Sequence, residues 1–207
     1  MGFVCNGRYV ITPVDAADAE TYVNLQLDCL EETYPAIIDP AFGSRMRAGR
    51  AELDEEFAEN IADPATRAFL AYDVPGWTPH AGLTCAIGAA IDWTHPVGFA
   101  LSRPGPLPWE SHMPVEPVTP GLRELAQLYT LARTHGTGLG QALFEAVIHP
   151  NEPAYLWFIK GNEQAVRFYE KNGFEVEGVF APCGGSWAHP SGDEAAAPQT
   201  GRMFRRL

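Results

Sequence analysis

With 207 residues and a net charge of −12, the chain is long enough to bury one sizeable core, since single domains commonly run to ~200 residues. It is too acidic to favour nucleic acid or an anionic membrane, whose phosphates call for clustered Lys and Arg. No run of about 18 apolar residues and no charged N-terminal segment leading into an apolar one is present, so neither a membrane span nor a signal peptide is expected.

Tyr9 to Val14 reads as a first strand. Asp15 then caps a helix whose apolar stripe is Tyr22, Val23, Leu27 and Leu30, ending at Tyr34-Pro35. Ala36 to Ala48, with Pro40 and Gly43, reads as irregular, and a charged helical segment follows around Glu52 to Ile61. Arg67 to Tyr72 and Gly82 to Trp93 read as strands flanking a Pro75-Gly76 turn, the second with a bulge at Gly88. From Thr94 to Gly121 seven of 28 residues are proline, a density at which no regular element is expected. So long a structureless segment in a compact domain is functional or disordered. Leu122 to Leu131 alternates again, with Leu125, Gln127, Tyr129 and Leu131 on one face and Glu124, Ala126, Leu128 and Thr130 on the other. Tyr155 to Ile159 is a short apolar run of strand type. A second irregular stretch, Pro182 to Thr200, holds Trp187 and His189 and leads to a last strand, Gly201 to Leu207. Cys5, Cys29, Cys85 and Cys183 are scattered without a Cys-x-x-Cys pair, which argues against a zinc site or a disulfide framework and fits a reducing, cytoplasmic compartment.

Chemistry concentrates where the strand ending at Leu131 meets the next helix. Leu139, Ala142, Leu143, Ala146 and Val147 form the buried stripe of an amphipathic helix that stops near His149-Pro150. Between strand and helix lie Gly136, Gly138 and Gly140, which leave the backbone open to a ligand beside helix N–H groups that lack partners and a dipole that favours an anion. This is a phosphate cradle. It lacks the Gly-Lys-Ser/Thr ending of a Walker loop and the Gly-x-Gly-x-x-Gly spacing of a dinucleotide fingerprint.

His135-Gly136-Thr137-Gly138-Leu139-Gly140-Gln141 resembles the acyl-CoA motif of the GNAT superfamily of N-acyltransferases, Arg/Gln-x-x-Gly-x-Gly/Ala, with His135 at the Arg/Gln position. A second segment, Asn162-Glu163-Gln164-Ala165-Val166-Arg167-Phe168-Tyr169-Glu170-Lys171-Asn172-Gly173-Phe174, resembles the family's Asn-x-x-Ala-x-x-Phe-Tyr-x-x-x-Gly-Phe. The resemblance implies a single α/β (α+β) domain: a mixed, mostly antiparallel seven-stranded sheet with about four helices and splayed central strands. It further implies acetyl-CoA as co-substrate, no metal, and transfer of an acetyl group to a primary amine of a small molecule or peptide within a ternary complex. A homodimer is left open. The alternative is a CoA-binding sensor or structural module without activity.

The resemblance also assigns roles. Leu128, Tyr129 and Thr130 would meet the pantetheine through their backbone, and His135, Gly136, Thr137, Gly138, Leu139, Gly140 and Gln141 the pyrophosphate. Asn162 would be both helix N-cap and ligand contact. Glu124 would be the base that accepts the amine proton, or a solvent-exposed strand start. Tyr169 would be the acid that protonates the departing thiolate, while also packing on Phe174 in a Schellman helix end with Gly173 at C′. Glu31, Glu32 and Tyr34 would contact the acceptor, or form a solvated acidic helix end. Trp109 would belong to a flap over the acceptor pocket, or pack on its own domain.

Overall fold

Asp15 turns the chain into its first helix through a reciprocal capping box: its Oδ1 accepts from the N–H of Ala17 and its own N–H donates to Asp18 Oδ2. In the computed structural model, which describes residues 3–5, 7–77, 90–191 and 196–206, the helices are α1 (Ala19–Thr33), α2 (Phe42–Ala48), α3 (Arg50–Ala62), α4 (Leu139–Val147) and α5 (Glu163–Lys171). The strands are β1 (Phe3–Cys5), β2 (Tyr9–Pro13), β3 (Arg67–Asp73), β4 (Gly98–Pro104), β5 (Arg123–Thr130), β6 (Ala154–Ile159), β7 (Phe174–Pro182) and β8 (Gln199–Arg205). They form one mixed sheet in the order β1-β2-β3-β4-β5-β6-β8-β7. The expected architecture holds, with the three-residue β1 added at the edge. Among the described residues no helix is long and apolar enough to cross a membrane.

The sheet carries a core on each face. On one, α4 buries Leu139, Leu143, Phe144 and Val147 with Leu125, Leu156 and Met203. On the other, α1, α2 and α3 bury Tyr22, Leu30, Phe42, Met46 and Phe57 with Leu70, Phe99 and Leu101.

Three sequence readings change, the third along β5. Ala36 to Ala48 holds α2, because Pro40 precedes the helix and Phe42 and Met46, four residues apart, anchor it in the core. Gly43 lets α2 lie close on α1, since a Cβ there would sit 2.9 Å from Glu31 Cγ. The strand read at Gly82 to Trp93, with its bulge at Gly88, lies outside the described residues except for 90–93, which are not strand. On the side away from β2, β3 pairs antiparallel with β4, inside the proline-rich segment. Averaging prolines over that segment hid a proline-free run, Val97 to Arg103. Pro104 sits at the strand's last position, and Pro108 opens a 3₁₀ turn, Pro108–His112, where a missing N–H costs nothing.

The central strands are shaped by a bulge and a divergence. Along β4 and β5, Leu101 pairs with Gln127 but Ser102 with Leu125, so Ala126 is the extra residue of a β-bulge. The bulge breaks the expected alternation. Leu125 and Leu128 both pack on the α4 side, whereas Ala126 and Tyr129 pack on the side of α1 to α3. Gln127 also turns that way, its Oε1 accepting from Tyr22 Oη at 2.7 Å. Beyond it, β5 and β6 are parallel and paired only at Arg123 with Ala154 and Glu124 with Tyr155. Past these two pairs the strands part, and a cleft opens between them.

Candidate active site

On the α4 side, the residues after β5 build a cradle from backbone. Gly136 and Gly138 have φ of 75° and 88°, a region only glycine enters without strain, and Gly138 is the N-cap of α4. A Cβ on Gly136 would meet nothing within 4 Å, so this side of the loop faces open space at the positive end of the helix. Side-chain ties fix the loop. Thr137 Oγ1 donates to the Thr134 carbonyl at 2.6 Å and accepts from Tyr9 Oη at 3.0 Å, and Glu32 Oε2 accepts from the N–H of Ala132 at 2.7 Å. The groove, about 700 Å³, runs from Gly136 and Gly138 past Leu128 and Thr130 to Asn162 and Tyr169.

Asn162 caps α5 as its type predicts, Oδ1 accepting from the N–H of Ala165 at 3.2 Å. At the other end of α5, Gly173 has φ 83° and its N–H donates to the Glu170 carbonyl at 3.0 Å, while the Tyr169 ring lies 5.9 Å from that of Phe174. This is the expected Schellman-type packing. Burial pushes the Tyr169 hydroxyl well above the ordinary phenol range, and neighbouring Tyr34 adds to the effect. It therefore keeps its proton at neutral pH.

His135 has protein partners at both ring nitrogens. Its Nε2 lies 3.2 Å from the Thr130 carbonyl and its Nδ1 3.1 Å from Gln164 Nε2. A neutral ring that donates through Nε2 and accepts through Nδ1 satisfies both contacts. The imidazole thus covers the Thr130 carbonyl, which the resemblance assigned to pantetheine. Gln141 also has protein partners, donating to Glu145 Oε1 at 2.8 Å and to Asn172 Oδ1 at 2.9 Å.

A second cavity, about 1120 Å³, opens on the side of α1 to α3. Glu124 lies in it and is only 3% exposed, so it is not a solvated strand start. Arg103 Nε donates to Glu124 Oε2 at 2.8 Å and Arg103 Nη1 to Asn60 Oδ1 at 2.7 Å, with Glu56 3.5 Å away. Burial raises the Glu124 pKa, and the guanidinium opposes that rise without cancelling it. Trp109 lines the cavity, 42% exposed, with its ring 5.2 Å from Trp157. Trp187 stands edge-on to Tyr34 at 5.0 Å. The two cavities adjoin: Tyr34, Tyr129 and Trp157 line both, Glu124 only the second and Tyr169 only the first. Tyr34 and Tyr129 are linked through their hydroxyls at 3.2 Å.

The candidates at the end of α1 divide. Tyr34 lies at the junction, and Glu32 lines the first groove while tied to Ala132. Glu31 lines neither cavity, because Arg47 Nε donates to its carboxylate at 2.9 Å on the outer side of α1. Sequence reasoning passed over Arg103, Trp157 and Glu110. The Glu110 carboxylate accepts from Tyr155 Oη at 2.7 Å and from Trp157 Nε1 at 3.1 Å, and so fixes the indole at the junction. A glutamate one residue after Trp109 was the available signal.

The family model described as an acetyltransferase (GNAT) domain matches residues 87–176. Among solved structures, the chain is similar to NAA60 of Arabidopsis thaliana in complex with a bisubstrate analogue, at 13% identity and a TM-score of 0.58, covering 96% of this chain and 99% of that one. It is similar to histone acetyltransferase HPA2 and related acetyltransferase from Corynebacterium glutamicum, at 20% identity and a TM-score of 0.56, covering 96% of each chain. A third likeness is to the PaiA N-acetyltransferase of Thermoplasma acidophilum in complex with coenzyme A, at 15% identity and a TM-score of 0.55, covering 96% and 99%. No curated protein sequence matches the chain.

Proposed function

We propose that the protein, whose residues 87–176 match the model of a GNAT acetyltransferase domain, transfers an acetyl group from acetyl-CoA to a primary amine of a small molecule or peptide, by direct attack in a ternary complex in the cytoplasm. One observation carries this reading. Two cavities meet at the β5–β6 divergence with a buried carboxylate on one side and a protonated phenol on the other.

The residues of the first groove fit the CoA portion. The glycine cradle offers backbone N–H groups to the pyrophosphate, and the free edge of β5 at Leu128 and Thr130 lies along the path of the pantetheine. His135 must release the Thr130 carbonyl if pantetheine is to use it. In the second cavity Glu124, directly or through water, takes the proton that the amine loses as its nitrogen bonds to the acetyl carbon. As the carbon–sulfur bond breaks, Tyr169 gives its proton to the sulfur.

Thiol release from acetyl-CoA over a panel of amines, with melting temperature followed in parallel, tests the proposal. A ligand at ~100 times its dissociation constant adds ~2.7 kcal/mol to stability, so both a clear thermal shift and amine-dependent thiol release are expected. A shift without release for any amine would favour the inactive CoA-binding module. Absence of both would overturn the proposal.

A further inference from the structure

The lining of the second cavity is divided by chemistry. Its carboxylates among the described residues are Glu52, Glu56 and Glu124. Glu52 and Glu56 share one face of α3, being four residues apart, and Arg103 joins Glu56 to Glu124, so the negative groups gather at one end. Arg103 is the one Lys or Arg among the described lining residues, and the three carboxylates among them exceed its single charge. The walls from other elements are different. Trp109 and Trp157 lie ring against ring; Trp187 from the loop after β7 packs on Tyr34 and on Phe42, at 5.0 Å from each ring; and Phe180 and Pro182 continue that wall. The described lining residues of β7 and its following loop carry no carboxylate.

Among the described lining residues the carboxylates stand at one end, so a polyamine would set its distal ammonium against the Trp187 wall with no lining carboxylate beside it. A single ammonium on an apolar, ring-bearing body matches both ends. The cation meets the Glu52, Glu56 and Glu124 end, and the body buries against Trp109, Trp187 and Phe180. The volume, about 1120 Å³, is ample for a drug-sized body, since ligand pockets commonly run to ~1,000 Å³. Resting on the acetyltransferase reading above, we infer that the acceptor is a monocationic aryl-alkyl amine, and that Trp187 is a specificity-determining residue which holds its ring.

The test compares kcat/KM at saturating acetyl-CoA for 2-phenylethylamine, tryptamine, n-butylamine, spermidine and a short peptide with a free N-terminus, on the wild-type protein and on Trp187→Ala. The aromatic amines should exceed butylamine, spermidine and the peptide by at least about tenfold. Trp187→Ala should lower kcat/KM for the aromatic amines about tenfold through KM, leave butylamine nearly unchanged, and keep the thermal shift with acetyl-CoA. Because Trp187 also packs on Tyr34 and Phe42, Trp187→Leu, which keeps apolar volume without the ring, should show the same selective loss if the alanine variant melts early. A preference for spermidine or the peptide, or equal loss for aromatic and aliphatic amines, would overturn the inference while leaving the acetyltransferase reading standing. Loss of thiol release with every amine, together with no acetyl-CoA shift, would instead remove the reading on which it rests.

Discussion

The two cavities that meet at the β5–β6 divergence are built in opposite ways. The groove on the α4 side is made of main chain: positive-φ glycines, a helix start and a free strand edge, all within residues 128–141 and a capped helix at 162. The cavity on the other side is made of side chains gathered from α1, α3, β4, β5, β6 and the loop after β7, including Tyr34, Glu56, Arg103, Glu124, Trp157 and Trp187. A backbone-built site depends on conformations that few residues permit, so it fails when a glycine is replaced. A side-chain-built site depends on identities that can vary one at a time, so it changes preference by degrees.

The sharpest way to break this contrast is at the cradle. Gly138→Val places a branched side chain at φ 88° and should abolish the acetyl-CoA thermal shift, worth ~2.7 kcal/mol at ~100 times the dissociation constant. A retained shift would show that backbone geometry does not govern the groove. Next in size is Tyr169→Phe, which keeps the ring on Phe174 and removes only the hydroxyl. It should melt close to the parent, hold acetyl-CoA about as well, and lose roughly 10²-fold in turnover. Unchanged turnover would reduce Tyr169 to a packing residue.

Glu124→Gln should cost roughly tenfold or more in kcat with the acetyl-CoA shift intact. Its companion is a pH profile. The base must be ionised, so kcat/KM should fall as pH drops through the Glu124 pKa, which burial places above the ordinary carboxylate value of 4.5. Arg103 opposes that rise. Arg103→Met therefore removes the charge that favours the carboxylate, and the acid limb should move to higher pH. A limb that stays in place would assign the proton to another group. The smallest effect is expected at His135→Ala. Since the cradle is backbone, the acetyl-CoA shift should change by less than about 1 kcal/mol, the size of one hydrogen bond, and a larger loss would make the imidazole a genuine ligand group.

The same contrast explains what the sequence made legible. The cradle, the Asn162 cap and the Tyr169–Phe174 helix end were readable because each is a local rule, fixed by a few neighbouring residues. The acceptor side was not. Trp187 and Trp109 were visible only as tryptophans in proline-rich loops, and nothing local says that a ring at 187 will meet one at 34. β4 was missed because proline content was averaged over 28 residues rather than read position by position, which would have isolated Val97 to Arg103. The faces of β5 were misassigned because no feature of Leu125-Ala126-Gln127 announces a bulge; it exists through pairing with β4.

That bulge has a consequence in arithmetic. Positions 124 and 129 differ by an odd number, and in a strand of strict two-residue repeat they would stand on opposite sides of the sheet, putting the carboxylate and the Tyr129 ring in separate chambers. The unpaired Ala126 changes the parity, so both enter the same one. β5 therefore cannot change its length by one residue without exchanging the faces of the residues beyond. Losing Ala126 could leave a sheet that still pairs, yet would swing everything on one side of the loss to the other face, whereas a loss of two residues would shorten the strand and keep the chambers as they are.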